Sequence, residues 1–182
     1  DDLERVLREL ERLVDEIRKE IEKVDRESEE LDRRVKETIK ELDERSKRLV
    51  EEVEDMIRRN RDSKELLERL IRLIRKSVED VKRTLEKLIE DSERSVKEVK
   101  DRLEKLIEDL RKVVEDLKKL ADERKAPEEV VRRVEKIVRE LRKTVEDSIR
   151  RNEKSVEETR REAEKSEKRN RELVKRLEEK AK

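Results

Sequence analysis

The sequence predicts an all-α fold, an elongated antiparallel three-helix bundle with coiled-coil-like packing and a weak left-handed supercoil. Three observations predict it. Apolar residues recur at helical spacing almost from end to end, the pattern is interrupted at two places, and the 182 residues contain no glycine and one proline. Sixty per cent of the chain is charged and 30% is hydrophobic, with no aromatic residue and no cysteine, so a thick globular core is out of reach. Such a composition would suit disorder if the apolar residues were scattered. Their regular recurrence instead gives each segment one continuous face to bury.

The first helix is expected over residues 2–59. Its stripe runs from Leu3 through Leu10, Ile17, Val24, Leu31, Val35, Ile39, Leu42, Leu49 and Val53 to Met56, at a mean period of about 3.53 residues. The segment Asn60-Arg61-Asp62-Ser63 breaks this pattern. Asn can take the left-handed conformation that ends a helix, and Asp62 with Glu65 forms a capping-box pattern for the next. The second helix is expected over 63–123, with a period of about 3.57 between Leu70 and Leu120 and additional apolar positions at Leu66, Ile71, Leu73, Ile107 and Val114.

Arg124-Lys125-Ala126-Pro127-Glu128-Glu129 forms the second interruption. Proline fits a first helical position, where its missing donor costs nothing, and two acids after it suit the positive end of the helix dipole. The third helix is expected over 127–181, with a period of about 3.54 between Val131 and Leu177. Short connections make consecutive long helices antiparallel. The expected domain is therefore one rod-like unit over 1–182, each helix about 85 Å long. Matching heights on helices 1 and 2 should have residue numbers that sum to about 122, and helix 3 should lie about 126 residues beyond helix 1.

Polar residues occupy the stripe where apolar ones would be expected. Ser28, Thr38 and Ser46 lie on or beside it in helix 1, and Ser77, Thr84, Ser92 and Ser95 do so in helix 2. Ser148, Asn152, Ser155, Thr159, Ser166 and Asn170 follow in helix 3. At the expected registers Ser46, Ser77 and Asn170 share a height, as do Thr38, Thr84 and Ser166. Ser28 shares one with Ser92 or Ser95 and with Asn152 or Ser155. A buried hydroxyl or amide without a partner costs roughly 1–3 kcal/mol, so coincident heights on three helices point to buried hydrogen-bond networks. The residues expected in them are Ser28, Thr38, Ser46, Ser77, Thr84, Ser92, Ser95, Asn152, Ser155, Ser166 and Asn170. Such layers penalise shifted registers more than they add stability.

The alphabet excludes most chemistry. Without His or Cys there is no imidazole base, no thiolate and no Glu-x-x-His metal pair, and without glycine there is no phosphate-binding loop. No catalytic, cofactor-binding or metal-ligating residue is expected, and the chain is read as a non-enzyme. Lys plus Arg and Asp plus Glu both number 55, so no basic excess attracts nucleic acid, and no aromatic residue is present to stack on bases. No apolar run approaches the ~18 residues of a membrane span, and Asp1 opens a charged helix with no visible targeting signal. The expectation is a soluble protein with neither a nucleic-acid nor a membrane partner.

Charge has one readable asymmetry. Residues 1–60 hold 16 basic and 22 acidic side chains, a net −6, and residues 125–182 hold 20 basic and 15 acidic, a net +5. Complementary flanks would favour helices 1 and 3 as parallel neighbours. Glu22 with Arg26, Glu54 with Arg58 and Glu135 with Arg139 are spaced to pair along their own helices.

The missing residue types, the Lys-Ala-Pro-Glu-Glu loop, the strict stripes and the inward Ser and Asn layers together resemble de novo designed long helical bundles with buried hydrogen-bond networks. The resemblance covers the whole chain and is one of style, so it transfers no functional residue. It implies a thermostable structural scaffold with no natural activity and no required partner. The alternative it leaves open is an interaction module, a designed homo-oligomer or a bundle that binds a helical partner, assembling through the wider stripe of helix 2.

Overall fold

In the computed structural model of the chain, residues 1–59 and 64–181 are described. Three helices account for nearly all of them: α1 spans Asp2–Arg59, α2 Lys64–Asp122 and α3 Glu128–Ala181. The expected first turn, with its Asp62–Glu65 capping box, lies outside the described residues. Acids in the first turn of α1 (Asp2, Glu4) and α3 (Glu128, Glu129), and bases in the last turns (Arg58 and Arg59, Lys119, Lys180), complement the helix dipoles.

Where the sequence predicts one domain over 1–182, the contacts gather into two compact units. The first comprises Asp1–Glu29 with Arg94–Lys154, and the second Glu30–Glu93 with Ser155–Lys182. Each unit contains a segment of all three helices.

In the first unit Leu10, Leu13 and Ile17 of α1 pack with Leu103, Leu110 and Leu117 of α2 and with Val134, Val138 and Leu141 of α3. Ion pairs report the register. Lys118–Glu135 and Lys100–Glu153 join α2 to α3 with residue numbers that sum to 253 each time, as antiparallel helices require. Arg102 pairs with Glu20, and these numbers sum to the 122 expected between α1 and α2.

The second unit has two smaller aliphatic clusters. Val50, Val53, Ile57, Leu67, Ile74, Val174 and Leu177 form one, and Val35, Ile39, Val81, Leu85 and Ala163 the other. Arg75–Glu178 and Arg160–Glu93 again sum to 253, and Lys82–Glu167 sums to 249, so α2 and α3 are antiparallel here too. Between α1 and α3 the numbers differ by a near-constant amount instead: 126 for both Asp43–Arg169 and Glu54–Lys180. These two helices are parallel at the expected offset.

The turn after α2 settles a question raised by a glycine-free chain. Arg124 adopts φ 62°, the left-handed conformation that glycine usually supplies. Its N–H donates to Ala121 O (3.0 Å) and that of Lys125 donates to Leu120 O (2.8 Å). This is the paired hydrogen-bond pattern of a Schellman cap, which satisfies two carbonyls that the helix end would otherwise orphan. Ala126 then tucks into the core of the first unit. Pro127 lies one residue before the start of α3, and its carbonyl accepts from the N–H of Val130 and Val131. Helix 2 thus ends at Asp122 and helix 3 starts at Glu128, each one residue inside the expected bounds.

An arginine in the left-handed region carries a penalty of about 1 kcal/mol that glycine escapes, offset in part by glycine's freer unfolded chain. Arg124→Gly should therefore stabilise the protein by up to about 1 kcal/mol in urea or thermal unfolding, whereas Arg124→Val should destabilise it.

Candidate functional site: polar layers in the helix interior

The interior polar groups share one recurring arrangement. In the first unit Ser148 on α3 is fully buried, and its Oγ donates to Asp25 Oδ1 on α1 at 3.2 Å. Arg151, one turn further along α3, donates from Nη2 to the other oxygen of Asp25 at 3.3 Å. In the second unit Ser166, also fully buried, donates to Asp43 Oδ1, and Arg169 Nη2 donates to Asp43 Oδ2 at 2.6 Å. Each aspartate bridges an interior hydroxyl and a surface guanidinium.

The helix geometry explains the repetition. Asp25 to Asp43, Ser148 to Ser166, Arg151 to Arg169 and Asn152 to Asn170 are all separations of 18 residues. Eighteen residues are five turns at 3.6 residues per turn, so the second copy returns to the same face of each helix. A third contact follows the same logic in the second unit: Thr159 Oγ1 donates to Asp32 Oδ1 at 3.3 Å, and Lys36 Nζ lies 3.0 Å from Asp32 Oδ2. Asp32 is 7 residues after Asp25 and 11 before Asp43, each close to whole turns.

The residues expected in buried networks divide into three groups. Ser46, Ser92, Asn152, Ser166 and Asn170 are buried. Ser28, Thr38, Ser77, Ser95 and Ser155 are half-buried. Thr84 is exposed, contrary to expectation, and donates to Asp80 O on its own helix at 3.0 Å. Thr38 likewise donates to Arg34 O and Ser92 to Leu88 O. These three hydroxyls are satisfied by the carbonyl one turn back, an option a hydroxyl always has inside a helix. At the height shared by Thr38, Thr84 and Ser166 both threonines therefore bond within their own helices, and Ser166 turns to Asp43 instead.

Asp25, Asp32 and Asp43 are the partners that stripe reading overlooks, because charged residues flanking an apolar stripe look like solvated surface. Aspartate's short side chain can nevertheless turn inward from the flank while keeping water on one side. The sequence does carry a signal in two repeated patterns, Asp-x-x-Ser at 25–28 and 43–46, and Ser-x-x-Arg-Asn at 148–152 and 166–170. Not every interior polar atom finds a partner. Ser46 Oγ and the Nδ2 atoms of Asn152 and Asn170 are buried without a hydrogen bond.

Flanking charges follow the predicted asymmetry, with acids on α1 and bases on α3. Glu54 was expected to pair with Arg58 on its own helix. It accepts instead from Arg176 Nη2 at 3.4 Å and Lys180 Nζ at 3.1 Å on α3. Burial pushes its carboxyl pKa up, but the bonds and charges of Lys180 and Arg176 outweigh that and hold it below the ordinary 4.5. The hydrogen bond and charge of Asp32 raise the Lys36 ammonium above its ordinary value. Glu135, expected to pair with Arg139, meets Lys118 of α2.

Among the described residues, no group of three or more His, Cys, Asp or Glu is arranged to hold a metal ion, and no helix is long and apolar enough to cross a membrane. No family model and no curated protein matches the chain. Among solved structures it is similar to a protein described as a computationally designed three helix bundle, at 25% identity over 98% of this chain and 86% of that one, with a TM-score of 0.34.

The Glu54 cluster makes a pH-dependent prediction. A carboxyl whose folded pKa is depressed contributes stability that is present above its unfolded value and lost as pH falls through the folded one. Glu54→Gln should therefore cost about 0.5–1 kcal/mol at pH 7. Unfolding measured in urea across pH 7 to 2 should show that gap closing below about pH 4. A gap that persists at pH 2 would mean Glu54 acts through packing rather than charge.

Proposed function

We propose that this chain is a structural scaffold of designed type, with no natural biochemical activity, whose role is to hold three helices in one register. The observation that supports this most directly is the duplicated Asp–Ser–Arg contact, set five helical turns apart within stripes drawn from a restricted aliphatic alphabet. In this reading each contact anchors a wider layer. Ser28, Ser95 and Asn152 lie close to the height of the first, and Ser46, Ser77 and Asn170 close to that of the second, with Ser46 Oγ and both asparagine Nδ2 atoms left unpartnered. The sums 28 with 95 and 46 with 77 are both 123, and the differences 152 less 28 and 170 less 46 are both 124, so the two layers are built to one plan. The polar layers contribute specificity, while the aliphatic clusters on either side contribute most of the stability.

A second reading, an interaction module that self-associates or binds a helical partner, is favoured by one feature. The wide stripe of α2 is absorbed by the core in the first unit, where Ile107 and Val114 pack against it, but in the second unit Leu73 is 55% exposed. Scattered exposed leucines are common on soluble proteins, which favours the first reading.

The two readings separate in one experiment. Light scattering with size exclusion at high concentration should return the mass of one chain, 22.3 kDa. A multiple of that mass that reverts on Leu73→Glu would establish the interaction module. Asn170→Leu removes a buried amide lacking a partner for its Nδ2 and should raise thermal stability, by about 1–2 kcal/mol, or change the oligomeric state. No effect on either would argue against a role for Asn170 in an interior layer.

A further inference from the structure

We propose that the edge between α1 and α2 in the second unit docks an acidic amphipathic helix of another protein. This supplies a partner for the interaction-module reading and rests on it. Leu73 alone would be an ordinary exposed leucine. It has company: of the four exposed large apolar side chains among the described residues, three lie on this edge, Met56 at 45%, Leu66 at 38% and Leu73 at 55%. Met56 and Leu66 share a height, since their numbers sum to 122, and so do Leu49 and Leu73. Half-buried Leu49 and Leu70 pack on the aliphatic cluster beneath them. The strip has anchors seven residues apart on each helix, the spacing at which one face of a further helix presents its own.

The first unit shows that such an edge can close without them. Ten turns back along α1, Glu20 takes the place of Met56, and ten turns on along α2, Arg102 takes the place of Leu66. Those two residues close the edge with an ion pair at 3.2 Å. Leu73 is replaced in the same way by Asp109. Exposed apolar side chains at these positions in the second unit are therefore no requirement of the helix pairing, and their burial is left to a partner.

Charge selects that partner. Between residues 64 and 77 the same face of α2 carries Arg69, Arg72 and Lys76, all exposed and none in an ion pair with a described residue. Glu65 is the acid beside them, in the first turn, where it complements the helix dipole. On α1 the flanking Arg45 and Arg59 are already paired, with Glu41 and Asp55. A second copy docking by this face would bring three more bases against the first three, so like charge disfavours self-association. An acidic helix meets the same field as an attraction.

The test titrates the full chain, labelled at Met and Ile methyl groups, with a synthetic peptide of three Glu-Leu-Glu-Glu-Ile-Lys-Glu heptads. Two NMR reporters decide it: Met56, the only methionine, and Ile137, which is exposed in the first unit. The expected result is a saturable shift at Met56 with a Kd on the order of 100 μM, no shift at Ile137, and a chain that stays monomeric in light scattering. The same peptide with Glu and Lys exchanged keeps its apolar stripe and should bind at least about tenfold more weakly. Leu73→Glu, and separately Arg69→Glu with Lys76→Glu, should each weaken binding about tenfold. A monomeric chain with no saturable Met56 shift up to about 2 mM peptide would overturn the proposal and the interaction module with it. A dimer that reverts on Leu73→Glu, or equal binding of the two peptides, would keep an interaction surface but overturn the acidic helix as its partner. Unchanged binding in both variants would place the peptide elsewhere and overturn the site.

Discussion

Two buried serine hydroxyls, Ser148 and Ser166, find their acceptor on a different helix at one height. In the proposed function, these two contacts are what fixes the alignment of α3 against α1. Aliphatic stripes of Leu, Ile and Val supply the attraction between helices, yet they are nearly uniform along their length, so one helix can slide past another by whole turns with little change in burial. Under the proposed function, Ser148 opposite Asp25 and Ser166 opposite Asp43 are the contacts that would remove that degeneracy. If α3 shifted by two turns against α1, Ser166 would meet the height of Val50 or Lys36 instead of Asp43 and lose its cross-helix bond, keeping only the carbonyl one turn back as acceptor.

The same layers cannot reject every slip. Because they repeat at 18 residues, a displacement of five turns would bring Ser166 to Asp25 and preserve one contact in full. That displacement is about 27 Å at 1.5 Å per residue. The connection from Asp122 to Glu128 reaches only about 21 Å when fully extended, and it is held in a Schellman cap by Arg124 and Lys125. In the proposed reading specificity is divided between two devices: the polar layers act against short slips, and the tight turn against the long one. An arginine is accepted in a left-handed conformation within that turn, at the end of a helix whose remaining carbonyls need donors.

Periodicity made the three helices, their order and their registers legible. The 122 sum appears at Arg102–Glu20 and the 126 offset at Asp43–Arg169, because short turns and antiparallel packing leave no other alignment. The partners of the buried hydroxyls were harder to read. Asp25 and Asp43 sit on flanks otherwise filled with solvated charge, and only their repetition with the serines marks them out. Thr84 misled for the opposite reason: its place beside the stripe suggested burial, but a threonine can satisfy itself on the preceding turn and remain at the surface. Pro127 and the acids after it marked where the turn after α2 lies, but the left-handed residue within it had no signature, since the residue that takes φ 62° is an arginine.

The proposed control of register requires the Asp43–Ser166 contact to act as a specific bond rather than as two independent polar side chains. A double-mutant cycle measures this most directly, with urea unfolding of the parent chain, Asp43→Ala, Ser166→Ala and the double variant. A coupling energy of about 1–2 kcal/mol is the predicted result, with Asp43→Ala costing more than Ser166→Ala because it strands a buried hydroxyl. A coupling within about 0.3 kcal/mol of zero would contradict the claim that these layers set the register.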